Sequence, residues 1–429
     1  MAVPSISPRD PASDAPPRLL DEGGIVVCSY CFPPMAVGPA FILDRLLSQL
    51  DLGETVVYAG RYHGFTTHSD DFGKTKAEIV FRDVPRWWPR RDRELRVGSL
   101  RVPVRIRTLG NLFVSFRVAF DLAREMRKPE RKALVVVYPT QPFLLAGCLA
   151  AMTTKKPFLV YLTDVYVEGL PRGKRIGRRI ERYMARRASA LFGMSDAHCA
   201  QLAGRMRAQG VEDPLVVEIP HPYVPPSEGA ALTKPLEGSP SILFAGAIYD
   251  QHVDSVQRLI EAFDSPVLAD LDPHFNLFSQ LDAETLAREG IEVGGRVSLR
   301  AATVDETLAG QRAADILFLG ISFTVGEAVR TTGSPTKTPE YLAAGRPILV
   351  HGPPESYVAR YAREYGWGEV VDAPDVEAVA HAIRRLATDE ARQAELIAGA
   401  AKTLPRHLAP VVAETFRQTV RKVVAARGR

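Results

Sequence analysis

GEAVRTTGSPTKTPEYLAAGRPILV, residues 326 to 350, decides how the rest of the chain is read. Ser334 can cap a helix with Pro335 at its first position, an arrangement that leaves backbone N–H groups pointing out of the helix start. Such an end attracts phosphate, and Lys337 adds a point charge beside it. Glu340 follows at a distance from which its carboxylate can accept both hydroxyls of a ribose. The segment comes directly after DILFLGIS, a short apolar run of strand type, and ligands of open α/β sheets sit outside the carboxyl ends of the strands. A Pro-started surface helix with an ordinary Lys and Glu fits the same residues, because short motifs match often by chance.

Working outward, short continuous apolar runs alternate with helical spacing on both sides of this loop. In the first part the order is GGIVVCSYCF, the loop PPMAVGP, the helix AFILDRLLSQL, the strand ETVVYAG, a long basic segment, and the helix FVSFRVAFDLAREM. ALVVVYP, PFLVYLTD, ALFGMS and LVVEIP follow as strands with helices between them, the last helix being DAHCAQLAGRM. Composition turns to Pro, Ser and Gly at residues 221 to 240, which marks a linker. A second series opens with SILFAGAIY and runs through HFNLFSQ, RVSLRAA, DILFLGIS and RPILVHG, with helices to about residue 400. Runs of this kind predict two parallel sheets covered on both faces, an α/β chain of two Rossmann-like domains.

At 429 residues the chain suits two domains of about 200 each. The predicted division is a disordered leader over 1–22, an N-terminal domain over 23–222, a second domain over 223–404 and a terminal helix over 405–429 that crosses back onto the first half. The leader is rich in Pro, Ser and Asp without an apolar run, so it reads as no signal peptide, and the protein is expected in the cytoplasm. The longest apolar stretch, LVVVYPTQPFLLAGCLAAM, is broken by Pro139 and Pro142, so no spanning helix is expected.

Cys28 and Cys31 form a C-x-x-C, and Cys148 and Cys199 have no local partner with which to complete a zinc site. Redox chemistry calls for a cysteine at a helix start, whereas Cys31 is followed by Phe-Pro-Pro, which keeps the chain extended. Buried thiols at a strand end are the expected reading.

PTKTPEYLAAGRPIL, preceded by AADILFL, resembles the donor-site segment of family 4 glycosyltransferases of the GT-B fold, often written P-x-K-x-x-E-Y-x-A-x-G-x-P-I. FPPMAVGP is similar to the family's first loop, SALFGMSDAHC to the strand that closes its N-terminal domain, and SILFAGAIYD to the opening of its second domain; the likeness runs over about residues 24 to 428. It implies a metal-independent transferase whose donor is a nucleoside-diphosphate sugar, with retention of anomeric configuration. It implies that Glu340 binds the donor ribose and that Lys337 with Ser334 to Thr336 lies by the diphosphate. Gly38 and Gly246 would be points of backbone approach, and Asp164 would lie near the transferred sugar. Where the family carries a sugar-contacting glutamate eight residues before Glu340, this chain has Thr332, with Glu327 as a substitute. An Arg and a Lys that follow the second domain's first glycine are replaced by AGAIYDQHVD, for which Arg330 or His252 could stand in. The alternative is a non-catalytic nucleotide-sugar-binding subunit; a GT-B epimerase is a third reading. Asp270-Leu271-Asp272 imitates a metal-binding D-x-D but precedes Pro273, as a surface turn does.

Charge is balanced overall at +4 but unevenly placed. The stretch that starts at Arg82 and ends at Arg107 holds nine Arg against three acids, with Trp87 and Trp88 in its midst; the one that starts at Arg172 and ends at Arg187 holds eight bases against one acid. Arg with Trp suits an anionic membrane interface, each base contributing on the order of 1 kcal/mol, so peripheral contact at the inner membrane face and a lipid-linked acceptor are expected. A solvated helix face is the plain alternative. Nucleic acid is not expected, since no stacking platform or known motif accompanies the charge.

Overall fold

The computed structural model describes residues 15–35, 37–61, 74–83, 96–97, 100–101, 104–168, 170, 174–226 and 231–427. Trp87, Trp88 and Arg172 lie outside the described residues, as do residues 1–14 of the expected leader. Leu19, also placed in the leader by sequence, is fully buried, and Arg18 pairs with Asp51.

The strands are β1 (Gly24–Ser29), β2 (Val56–Arg61), β3 (Glu78–Asp83), β4 (Arg96–Val97), β5 (Leu100–Arg101), β6 (Arg131–Tyr138), β7 (Phe158–Leu162), β8 (Ala190–Gly193), β9 (Val216–Glu218), β10 (Ser241–Ala245), β11 (His274–Phe278), β12 (Val297–Arg300), β13 (Ile316–Gly320), β14 (Ile348–His351) and β15 (Glu369–Val371). The α-helices are α1 (Gly38–Leu47), α2 (Val104–Met126), α3 (Gln141–Met152), α4 (Lys174–Arg187), α5 (Asp196–Ala208), α6 (Val253–Glu261), α7 (Ala283–Arg288), α8 (Val304–Ala313), α9 (Glu327–Thr332), α10 (Thr338–Ala343), α11 (Tyr357–Tyr365), α12 (Val376–Thr388), α13 (Glu390–Thr403) and α14 (Ala409–Arg427).

Two parallel sheets result. The first has the order β3-β2-β1-β6-β7-β8-β9 and the second β12-β11-β10-β13-β14-β15. β1 is buried along its whole length, as a strand covered on both faces must be, with Val26 opposite Val56 of β2 and Ile25 opposite Ala133 of β6. One face of the first sheet packs on α2, α3, α4 and α5, and the other on α1 and α14. The terminal helix thus crosses back onto the first half, as expected, through Val412, Phe416 and Val420. Strand order reverses between β1 and β6 and again between β10 and β13, which puts a crevice at the carboxyl ends of both pairs.

Several local expectations shift. α2 begins at Val104 rather than at Phe113, and β3 and β15 are strands where no strand was expected. The helix expected to start at Ser334 is shorter and later than that cap predicts: Lys337 is its N-cap and Pro339 lies in its first turn. The Thr338 N–H closes a turn on the Pro335 carbonyl at 3.1 Å, so Ser334 and Pro335 stay outside the helix.

Candidate functional site

The loop between β13 and α10 lies at the carboxyl end of the second sheet, and groups of the first half touch it along its length. Ser195, the N-cap of α5, accepts the His198 N–H and donates to the Thr332 carbonyl at 3.1 Å. His221 reaches the Ser334 carbonyl through Nε2 at 2.7 Å. A Cβ on Gly38, at the start of α1, would lie 3.1 Å from the Thr336 methyl. Arg45, two turns along α1, binds Glu340 Oε1 at 2.8 Å. Glycine at 38 therefore lets the first loop and the loop before α10 approach closely.

Lys337 and Gly246 meet at the end of β10. Gly246 has φ +124°, a backbone conformation that a side chain strains, and its Cβ position is 3.3 Å from Lys337 Nζ. The ammonium stands 3.3 Å from the centre of the Phe244 ring. Burial pushes Lys337 down to about 7, with Glu340 pulling it back up. A diphosphate beside Nζ would restore the full charge, so the lysine is poised to answer an anion.

Glu340 is the third residue of α10. Besides Arg45 it has Gln311 of α8 at 3.4 Å, so a carboxylate and an amide face the same space. Ribose hydroxyls entering there would compete with Arg45 for the carboxylate.

The remaining predicted residues are placed as follows. Thr332 is buried and donates its hydroxyl to the Ala328 carbonyl at 2.7 Å, folded back on α9. Glu327 is exposed in the first turn of α9. Arg330 donates to the Phe323 carbonyl at 2.9 Å and pairs with Glu355 at 3.2 Å, so its charge is already engaged. His252 is buried, bonded to the Gly320 carbonyl, and pushed down to about 3 by burial and by Lys337, so it brings no charge. Of the cations named from the sequence, Lys337 alone is at the end of β10. Asp164 follows β7 and accepts the Val165 N–H at 2.8 Å. Asp270 is held by Arg384, a structural partner on α12. Cys28 and Cys31 are buried; burial pushes the Cys31 thiol up to about 12 and Cys28 higher, which removes the reactive thiolate.

Arg45, Gln311, His221 and His407 escaped the sequence reading. His407 bonds the His221 carbonyl at 3.1 Å and the Tyr361 hydroxyl at 3.0 Å, and at the same crossing the Tyr223 N–H donates to the His407 carbonyl while the Tyr223 carbonyl accepts the Ala409 N–H. None belongs to a motif; only folding brings them to the loop.

Solved structures match nearly the whole chain. A UDP-forming α,α-trehalose-phosphate synthase from Burkholderia vietnamiensis is 14% identical, with 93% of this chain and 100% of that one covered and a TM-score of 0.64. A sucrose-phosphate synthase from Thermosynechococcus elongatus is 13% identical over 94% of this chain and 100% of its own, with a TM-score of 0.60. An Anabaena protein solved with UDP and glucose is 14% identical, covers 93% of this chain and 99% of its own, and has a TM-score of 0.58. This chain has the GT-B fold. In GT-B terms the crevice between β1–β6 and β10–β13 is the inter-domain cleft, and the 333 to 340 loop lines its second-domain wall. No family model and no curated protein matches the chain.

Proposed function

We propose that the protein is a glycosyltransferase that moves a sugar from a nucleoside-diphosphate donor to an acceptor. One observation carries the reading: Thr336, Lys337 and Glu340 follow one another in a single short segment, with Thr336 against Gly38 of the first half's loop, Lys337 Nζ beside Gly246, and Glu340 bonded to Arg45 of α1 across a GT-B cleft. Glu340 binds the ribose; Lys337, with Ser334 and Thr336, holds the diphosphate; Gly246 and Gly38 admit it closely. The leaving diphosphate is stabilised electrostatically by Lys337 and backbone dipoles, which makes the reaction metal-independent. Asp164 lies on the acceptor side near the reacting carbon, and Glu327 takes the sugar-contacting role that the inward-folded Thr332 does not. Arg330 steadies the α9 end of the loop through Glu355. Retention of configuration follows from the family resemblance.

UDP is the first nucleotide to test, since one solved neighbour is named as UDP-forming and another was solved with UDP. The acceptor is lipid-linked and the protein works peripherally at the cytoplasmic face of the membrane; the bases of α4 support this. Among the described residues no helix is long and apolar enough to cross a membrane.

Thermal unfolding with UDP, GDP, ADP or dTDP, wild type beside Glu340→Ala, tests the donor site. A ligand at 100 times its dissociation constant adds about 2.7 kcal/mol, a rise of several degrees that the variant should lack. No rise with any nucleotide sinks the reading. The second reading, a nucleotide-sugar-binding subunit without catalysis, draws support from Thr332 and from the engaged Arg330. Binding without product formation over a panel of donors and acceptors would favour it.

A further inference from the structure

The outer layer of the first half carries a face that sugar transfer does not use. α2 buries Val114, Val118, Leu122 and Met126 and turns Phe113, Phe116 and Phe120 outward at 62%, 59% and 68% exposure. At about 100° per residue these rings, with Arg117 and Arg124, lie in one stripe roughly 100° wide, opposite the buried residues. α3 packs along α2 and α4 along α3, all on one core, so their outer faces are continuous. Met152 at the end of α3 and Ile176 on α4 are exposed as well.

Charge on this layer is one-sided. The acids of α2 and α4 are spent: Asp121 on Arg82 at 2.6 Å, Glu125 on Arg131 at 2.7 Å, and Glu181 on Arg205 at 2.7 Å. Lys174, Arg175, Arg178, Arg179, Arg182 and Arg186 are exposed and have no acidic partner among the described residues. Three phenylalanines along one helix stripe, in line with the axis, can all enter a flat boundary at once, with guanidinium groups beside them at headgroup level.

We propose that the α2–α3–α4 face docks on an anionic phospholipid bilayer, with Phe113, Phe116 and Phe120 entering the boundary between headgroups and acyl chains. An apolar stripe set among unpaired bases is complementary to a surface that is negative outside and apolar beneath. The inference rests on the peripheral-membrane part of the proposed function and deepens it by naming the face and the lipid charge involved; it needs neither nucleotide nor acceptor.

Flotation of the full chain with vesicles of phosphatidylcholine, alone or with about one-third phosphatidylglycerol, tests it at low and at high salt. The wild type should rise with the anionic vesicles and stay down with the neutral ones. A triple variant, Phe113→Ser with Phe116→Ser and Phe120→Ser, should partition tenfold or more weakly while melting like the wild type, because all three rings are exposed. Arg178→Glu with Arg179→Glu should lose binding already at low salt. The proposal is overturned if the wild type stays in solution with anionic vesicles at low salt, if it binds neutral vesicles equally, or if the serine variant floats like the wild type. Vesicle binding without any nucleotide response would leave this inference standing and sink the transfer reading; the reverse result separates them the other way.

Discussion

Arg45 Nη2 stands 2.8 Å from Glu340 Oε1, with both side chains less than a fifth exposed, so a helix of the first half holds the residue proposed to bind ribose in the second. Arg45 also reaches the Pro222 carbonyl at 3.5 Å, at the junction between the halves. The pair is thus a clasp across the cleft and, on the proposed reading of Glu340, a competitor of the ribose.

Arg45→Met should lower stability by about 1.5–3 kcal/mol, the range for a lost hydrogen bond to a charged group. It should also tighten UDP binding a few-fold, since the ribose no longer displaces a guanidinium. Urea unfolding and calorimetric titration read the two effects. A variant that binds UDP more weakly than wild type would assign Arg45 to the nucleotide instead of to the clasp.

Lys337 predicts a pH dependence. Its value is pushed from 10.5 to about 7 by burial, so between these limits the unfolded chain binds a proton that the folded chain does not. Its contribution to stability is therefore full above 10.5 and is lost as pH falls through 7. A diphosphate at Nζ restores the proton, so nucleotide affinity should weaken above pH 7, approaching tenfold per unit. Titrations at pH 6.5 and 8.5 in buffers of different ionisation heat measure the proton taken up. Lys337→Met should abolish that uptake and most of the affinity.

The crossing of the chain between halves predicts acid sensitivity. Burial pushes His221 and His407 down to about 4 each, below the usual 6.5. The stability they contribute as neutral rings is full above 6.5 and lost as pH falls toward 4. Glu218 works in the opposite sense: burial raises it from 4.5 to about 7, so its contribution is full below 4.5 and lost as pH rises through 7. In a Glu218→Gln background, melting temperature should drop steeply between pH 6.5 and 4. Adding His221→Gln and His407→Gln should flatten that slope.

Ser195 caps α5 and bonds the Thr332 carbonyl. Ser195→Ala should cost about 1–2 kcal/mol, a lost cap together with a lost inter-domain bond. Chemical denaturation measures it; a loss within a few tenths would mean that water replaces the hydroxyl at both partners.

The apolar runs in the sequence were enough to give two parallel sheets, because strands buried on both faces must be continuous in hydrophobicity and each strand reads alone. Val412, Phe416 and Val420 recur at helical spacing, so the returning helix was also legible. Lys337 and Glu340 stood out by their spacing in one short loop. The start of α10 did not, since the local signal of Ser334 and Pro335 lost to a turn at Pro335 and to His221 bonding the Ser334 carbonyl from 113 residues away.

What the sequence by itself determined is therefore whatever repeats within a few residues: the alternation of strand and helix and the spacing of the last helix. Tertiary structure alone decided which groups meet across the cleft, that Arg45 faces Glu340, that Arg330 and His252 are already engaged, and that α3 joins the layer carrying the exposed rings of α2 to the one carrying the bases of α4. Those contacts join residues far apart in the chain through packing and burial, and their partners carry no mark on one another in the order of residues.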